Sequence, residues 1–295
     1  MNESSLIEGF KTIFAEAYDA ATPIWDKVAA LISSDGASEE YGWLGGLAGM
    51  REMHGERQPQ GLKSYDFTIK NIEFEESVRV KRADIRDSKI ATYNNMVKML
   101  GENFKMFPDE KIYGLINIAE TGVAYDGQGF ADTDHSQISE AGVVESWSNL
   151  GDDALDATSF GVARLALETA RNDSGKIVNK APKFLLVVPP AMRTLGEALV
   201  KKEYLAGGEN NPNYQAAELL VTSNVNADRW ALFDVSSPTA RPLVWQVREE
   251  VPFEAQEQGS HEDFFRKENF YGSYLRGNAG FGEYRKAYVS VVAES

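Results

Sequence analysis

Tyr65-Asp-Phe-Thr-Ile-Lys-Asn-Ile-Glu-Phe-Glu-Glu-Ser-Val-Arg-Val80 is the stretch on which the reading of this 295-residue chain turns. Apolar side chains at Tyr65, Phe67 and Ile69, then at Ile72, Phe74, Val78 and Val80, alternate with polar ones on either side of Lys70-Asn71. That is the period of a half-buried strand, repeated about a two-residue turn. If Ile69 lies opposite Ile72, then Phe67 faces Phe74 and all four share one side of a ribbon. A two-stranded ribbon is marginal in water, and each such side chain gains roughly 1.5–3 kcal/mol only once it is covered. The cover can come from the same chain or from a neighbouring copy. In the second case the ribbon is an assembly arm, and Phe67, Ile69, Lys70, Ile72 and Phe74 are its candidate subunit contacts.

Beyond the ribbon, Ile90, Tyr93, Val97, Leu100, Phe104 and Phe107 recur at alternating spacings of three and four, one narrow helical stripe with Lys98, Glu102 and Lys105 turned away. The spacing predicts a helix from Asp84 to Phe107, capped by Asp84 or Asp87 and ended by Pro108.

Composition sets the class. The chain is 43% hydrophobic and 11% aromatic, which is globular rather than disordered, and no apolar run of about 18 residues would span a membrane. The opening MNESSLIEGFKTIF lacks the basic start and apolar block of a secretory leader, so the protein is expected in the cytoplasm of the cell that makes it. With no cysteine there are no disulfides, thiolate metal sites or thiol nucleophiles. A formal charge of -15 opposes any grip on phosphate backbones, which depends on lysine and arginine displacing counterions.

Along the chain, residues 6–21 read as a helix, and Thr22 caps a second one carrying Ile24, Trp25, Val28, Leu31 and Ile32. The first 40 residues hold eight acidic and two basic side chains. Lys111–Ala119 reads as a strand, 122–142 as turns, and Asp152–Arg171 as a helix. Phe184–Val188 is a buried strand, and Ala191–Tyr204 a helix with Met192, Leu195 and Leu199 inward. Ala206-Gly-Gly-Glu-Asn-Asn-Pro-Asn213 has the composition of a mobile loop. Glu218–Thr222, Trp230–Val235, Leu243–Glu250, Asn269–Arg276 and Tyr284–Val292 read as strands. Strands and helices in this irregular order predict an α+β fold.

Signatures of chemistry are weak. Gly175-Lys176 lacks the rest of a phosphate loop, Gly280-Phe-Gly282 lacks a third glycine, and His261-Glu-Asp-Phe-Phe265 lacks the second histidine of a metalloprotease helix. In Asp126-Gly-Gln-Gly-Phe-Ala-Asp-Thr-Asp-His135, the residues Asp132, Asp134 and His135 have the donors of a metal site or an acid–base pair. The run lacks a calcium loop's terminal glutamate, and tight turns use the same residues, so the turn reading is preferred. Lys70 could in principle join Asn269 or Asn278 in an isopeptide bond; a solvated turn lysine is the simpler reading.

At Tyr41-Gly-Trp-Leu-Gly45, Met50-Arg-Glu52, His54-Gly-Glu-Arg57, Tyr65–Arg82, Tyr125-Asp-Gly-Gln128 with Asp132-Thr-Asp-His135, Phe184–Pro190 and Arg276-Gly-Asn-Ala-Gly-Phe-Gly282, the chain resembles the major head subunits of Mu-like bacteriophages. The resemblance runs from about Trp25 onward. It implies the Hong Kong 97-type capsid fold, an α+β fold divided into an N-terminal arm (1–50), an extended hairpin (51–83), a peripheral domain with a spine helix (84–151 and 244–295) and an axial domain (152–243). Val244–Val292 is then expected to complete the peripheral sheet.

The resemblance further implies a structural, non-enzymatic role: a major capsid protein whose copies form the pentamers and hexamers of an icosahedral head around DNA. It places the loop residues Gly207, Gly208, Asn210 and Asn211 toward the capsomer centre. Assembly would take place in the host bacterial cytoplasm. The implied partners are copies of the chain itself, a separate scaffolding protein, and portal and decoration proteins, with DNA met only by proximity and no membrane or cofactor involved. Charged residues at Phe67 and Phe74 are expected to leave the protein soluble but unassembled. The rival readings are the shell of a bacterial nanocompartment, which uses the same fold, a metal-dependent hydrolase built on Asp132, Asp134 and His135, and an adaptor or tail-tube subunit.

Overall fold

The computed structural model describes residues 3–41, 67–86, 90–205, 207–249, 251–256 and 267–292. Residues 51–66 of the expected hairpin, together with Asp87, Ala206 and His261, lie outside the described residues.

Helix α1 (Glu3–Ala20) buries Leu6, Phe10, Phe14 and Ala17, a helical stripe with spacings of three and four. It packs on the long helix α3 (Ile90–Gly114), which turns Val97, Leu100 and Phe104 inward. The two approach closely because Gly101 carries no side chain: a Cβ there would lie 2.6 Å from the Phe14 carbonyl oxygen. A short helix, α2 (Arg82–Arg86), precedes α3, and Asp84 lies within it, accepting the Tyr93 hydroxyl at 2.6 Å.

Pro108 does not end α3. The apolar spacing continues through Phe104, Pro108 and Ile112, and full burial of Ile112 and Tyr113 offsets the hydrogen bond that proline removes. The strand expected over Lys111–Ala119 is therefore the last turn of this helix, followed by a 3-10 turn at Leu115–Ile118. The helix expected after Thr22 is also absent. A 3-10 turn (Trp25–Lys27) leads into strand β1 (Ala29–Ser33), because the Asp109 carboxylate on α3 accepts the amides of Ile24 and Trp25 at 2.9 and 2.7 Å, groups that a helix cap would otherwise satisfy.

The first sheet is organised by a 14-residue strand, β13 (Glu268–Phe281). Gly277 pairs with Val247 of β11 (Leu243–Glu249) on one side and with Ile72 of β4 (Ile72–Lys81) on the other. A third antiparallel neighbour is β12 (Phe253–Ala255), and β1 extends the sheet parallel to β11. The ribbon of the sequence reading is thus not a hairpin. Its first strand, β3 (Thr68–Lys70), pairs with β2 (Ser38–Glu40), whereas β4 makes ten successive pairs with β13. Asn71 explains the parting. Its amide donates to Ser34 Oγ and the Gly36 carbonyl at 2.7 and 2.9 Å, and its carbonyl accepts Gln246 Nε2 at 2.7 Å, so the turn is pinned to the sheet.

The second sheet runs β7 (Leu150–Gly151), β14 (Ala287–Val291), β10 (Arg229–Asp234), β8 (Phe184–Val188), β9 (Glu218–Val221). Every residue of β8 and β10 is buried, and the two-residue period sorts them: Leu186, Val188, Trp230 and Leu232 face a cluster under α4 (Ala157–Thr169) and α5 (Arg193–Val200), while Leu185, Val187, Ala231 and Phe233 join the main core. Asp156 caps α4 by accepting the amides of Thr158 and Ser159 at 2.7 and 2.8 Å. Of the stretch expected to complete the peripheral sheet, β11, β12 and β13 lie in the first sheet, but β14 crosses to the second, where its Ala287–Ser290 are all buried. A small hairpin of β5 (His135–Ile138) and β6 (Val144–Trp147) completes the fold.

Candidate assembly surfaces

Of the five residues read as subunit contacts, Ile69 is enclosed by its own chain. It is 4% exposed and lies over Gly280, where an added Cβ would meet its Cδ1. Phe67 is half-buried, its ring 6.3 Å from Tyr41. Phe74 is half-buried against Phe107, ring centres 4.7 Å apart, with the Lys111 ammonium 4.9 Å above it. Lys70 and Ile72 remain outside, Ile72 at 47% exposure. The premise of a wholly uncovered apolar ribbon is therefore corrected: sheet and helix within the protomer take most of that side. Asn278 comes close to Lys70 but donates its amide to the Lys70 backbone carbonyl at 3.0 Å, and Asn269 is buried nine residues away along β13.

A second surface surrounds the end of α5. Leu195, Tyr204, Leu205 and Tyr214 are all exposed, contrary to the inward placement expected for Leu195. Gly207, Gly208 and Asn210 are exposed beside them, and Gly208 takes the positive φ that closes the turn, its amide bonded to the Leu205 carbonyl at 2.9 Å. Asn211 is different: it is buried, and its amide donates to the carbonyls of Leu199 and Lys202 at 2.9 and 2.8 Å, satisfying orphan groups at the helix end. Its side chain holds the loop to the end of α5. The exposure of Leu195 is what sequence spacing missed, because a helix of eight residues has a stripe too brief to orient, and Tyr204, Leu205 and Tyr214 lie beyond the helix in the loop.

The two sheets are joined by Glu283-Tyr-Arg-Lys286, all four buried. Lys286 Nζ bonds Asp234 Oδ2 and Asn179 Oδ1, and the Asn179 amide reaches the carbonyls of Leu167 and Arg285, both at 2.8 Å. Arg285 pairs with Asp173 at 2.7 Å and lies over the rings of Tyr284 and Tyr125. The Tyr125 hydroxyl donates to Glu283 at 2.9 Å; burial first, then that carboxylate, raises its pKa well above the ordinary value. Burial would raise the Asp234 carboxyl, but the Lys286 ammonium and the amides of Lys183 and Ser236 outweigh it and hold the group below the usual carboxylate range. Asp234, Lys286 and Arg285 are thus each paired with an opposite charge at this junction, so that removing one partner would leave a buried charge uncompensated.

The aspartate–histidine run feeds this junction. His135 is fully buried, bonds Asp126 through Nδ1 at 2.7 Å and stacks on Tyr284 with ring centres 4.0 Å apart. Asp132 Oδ1 accepts the Asp134 amide at 3.0 Å, the self-bonded turn that the spacing suggested. The imidazole is thus turned toward Asp126 inside the protein, and among the described residues no group of three or more acidic or histidine side chains could hold a metal.

A family model described as the Mu-like prophage major head subunit gpT matches residues 4–160, 151–225 and 222–293. The chain is 30% identical over 156 residues to the Mu-like prophage FluMu major head subunit of Haemophilus influenzae, covering 52% of this chain and 51% of that one. It is 30% identical over 131 residues to the major capsid protein of Escherichia phage Mu, covering 44% and 43%. These alignments span about half the length of the curated relatives. Among solved structures, the procapsid of bacteriophage JBD30 superposes with a TM-score of 0.65 at 25% identity, covering 99% of this chain and 75% of that one. A virus-like particle from Pyrococcus furiosus shares the fold at a TM-score of 0.56 and 12% identity, covering 96% and 98%. The fold is the α+β, Hong Kong 97-type architecture of phage capsids.

Proposed function

The chain belongs to the family of Mu-like prophage major head subunits, and from that premise we propose that it is the structural subunit of a tailed-phage head, assembling through many copies into an icosahedral shell around DNA. The family match along nearly the whole chain carries this reading. In it the protein acts by packing and has no catalytic step: each protomer adds a modest contact, and closed symmetry multiplies it. An acidic chain of charge -15 suits a wall that must stand beside DNA without adhering to it.

The N-terminal arm (1–50), extended hairpin (51–83), peripheral domain and axial domain remain our division of the chain, with two changes. Strand β4, inside the stretch assigned to the hairpin, is counted with the peripheral sheet, because it pairs with β13. The axial unit is drawn to include β7 and β14, because they lie in the sheet of β8 and β10. Around the capsomer centre we assign the contact to Leu195, Tyr204, Leu205 and Tyr214, with Gly207, Gly208 and Asn210 beside them and Asn211 holding the loop. Ile72 and Lys70 are the remaining candidates on the other surface. A separate scaffolding protein, a portal and decorating proteins complete the assembly, which takes place in the cytoplasm of the host.

The test is expression together with the neighbouring genes, followed by negative-stain electron microscopy. Closed shells are expected, and Tyr204→Glu with Leu205→Glu should abolish them while leaving soluble protein. Open tubes or rings would instead favour an adaptor or tail-tube subunit, and an enzyme cargo inside the particles would favour a nanocompartment.

A further inference from the structure

We propose that the outer face of α3 docks a basic amphipathic helix supplied by a different polypeptide. The buried stripe of α3 is fully used against α1 and the first sheet, yet the helix carries a second stripe. Met96, Met99 and Met106 are 43%, 60% and 40% exposed. With Asn103 and Glu110 they follow the three-and-four spacing of a single helix face. At about 1.5 Å per residue the methionines span about 15 Å and the whole face about 21 Å, a match for roughly four turns of a partner helix.

Methionine is unbranched and polarisable, so a row of it adapts to the side chains of another helix and is the surface that helix-in-groove recognition favours. The face ends in a cavity of about 630 Å³ between α3 and the loop after β9, lined by Glu76, Asn103, Met106, Glu110, Ser223 and Asn224 among others. Asp109 also borders it, but its carboxylate is spent on the Ile24 and Trp25 amides. Glu76 accepts the Asn103 amide at 3.2 Å and is exposed, as is Glu110. Among the described residues no lysine or arginine lines the cavity; Lys111, the nearest along the helix, lies over Phe74 and Phe107 instead. Apolar stripe and acidic pocket together select a helix with apolar residues at three-and-four spacing and lysine or arginine at one end. Among the described residues, none of the chain's own helices of eight or more residues is net basic, so a second copy has no such helix to offer. That the partner is an assembly protein rests on the proposed function; the docking itself does not.

The experiment titrates the intact, unassembled chain with two synthetic amphipathic peptides of about 18 residues, identical except that one ends in three lysines and the other in three glutamates, read by fluorescence anisotropy. The lysine peptide should bind, weaken with added salt, and lose about tenfold or more in affinity with Met99→Glu and with Glu110→Lys, both exposed positions whose far-UV circular dichroism should be unchanged. Equal binding of the two peptides, or unchanged affinity in both variants, overturns the proposal. So does a change in sedimentation of the chain alone on Met99→Glu, which would make a second copy the occupant. Failure of the shell reading is separate: it appears as absence of particles in co-expression, whatever the peptides do.

Discussion

Lys286 Nζ lies 2.5 Å from Asp234 Oδ2, both side chains out of water, where the chain has left the first sheet and enters the second. An ion pair in that position is weak evidence of net stability, since both charges were stripped of solvent, but it is costly to break by halves. Lys286→Met should destabilise the protomer by about 3–5 kcal/mol, because it leaves the Asp234 carboxylate buried with its main partner gone. The double variant Lys286→Met with Asp234→Leu should recover part of that loss. Urea midpoints of the unassembled protein measure both.

The same pair sets a pH response. Asp234 is depressed in the folded state, burial being outweighed by Lys286 and two backbone amides. A carboxyl with a folded value below its unfolded value of about 3.9 contributes stability that is complete above that value and lost as pH falls through the folded one. Wild-type stability should therefore fall more steeply than that of Asp234→Asn between about pH 5 and pH 2.5. Parallel slopes in urea melts across that window would contradict the assignment.

Gly101 offers a test in which two effects of known sign compete. Alanine in a helix interior is favoured over glycine by up to about 1 kcal/mol. Its Cβ, however, would meet the Phe14 carbonyl at 2.6 Å and the Tyr18 amide nitrogen at 3.1 Å, backbone atoms that yield only if α1 moves. Overpacking of this kind costs about 1–3 kcal/mol, so Gly101→Ala should be net destabilising. Greater stability in a urea melt would mean that the helices are not in contact there.

What could be read from the chain was periodicity, and what could not was pairing. The stripe from Ile90 to Phe107 and the continuous apolar block Phe184–Val188 each have a spacing that admits few answers, and both elements formed. Lys70-Asn71 has the pattern of a hairpin turn because its neighbours alternate correctly. That alternation says which face each side chain takes and nothing about which strand lies alongside, and a 14-residue partner near the far end of the chain outcompetes the adjacent strand. Pro108 misled for a related reason: local propensity was overridden by the burial of Ile112 and Tyr113. Of the candidate contacts, the glycines and Asn210 were legible as a turn, whereas the exposure of Leu195 and the capping role of Asn211 depend on how α5 sits on the sheet.

The ribbon residues can now be separated by experiment. Ile69→Glu would bury a charge over Gly280 and should prevent folding, so loss of shells in that variant would say nothing about contacts between subunits. Phe74→Glu forfeits the stacking on Phe107 and should cost the protomer about 1–3 kcal/mol before assembly begins, which makes it and Phe67 poorer probes than the sequence suggested. Ile72 is the clean one. It is exposed, and Ile72→Glu should shift protomer stability by no more than about 0.5 kcal/mol while lowering particle yield. Urea melts establish the first quantity and negative-stain counts the second. Shells from Ile72→Glu at the wild-type yield would remove this segment from the interface between subunits, leaving the surface around Tyr204 and Leu205 to carry it.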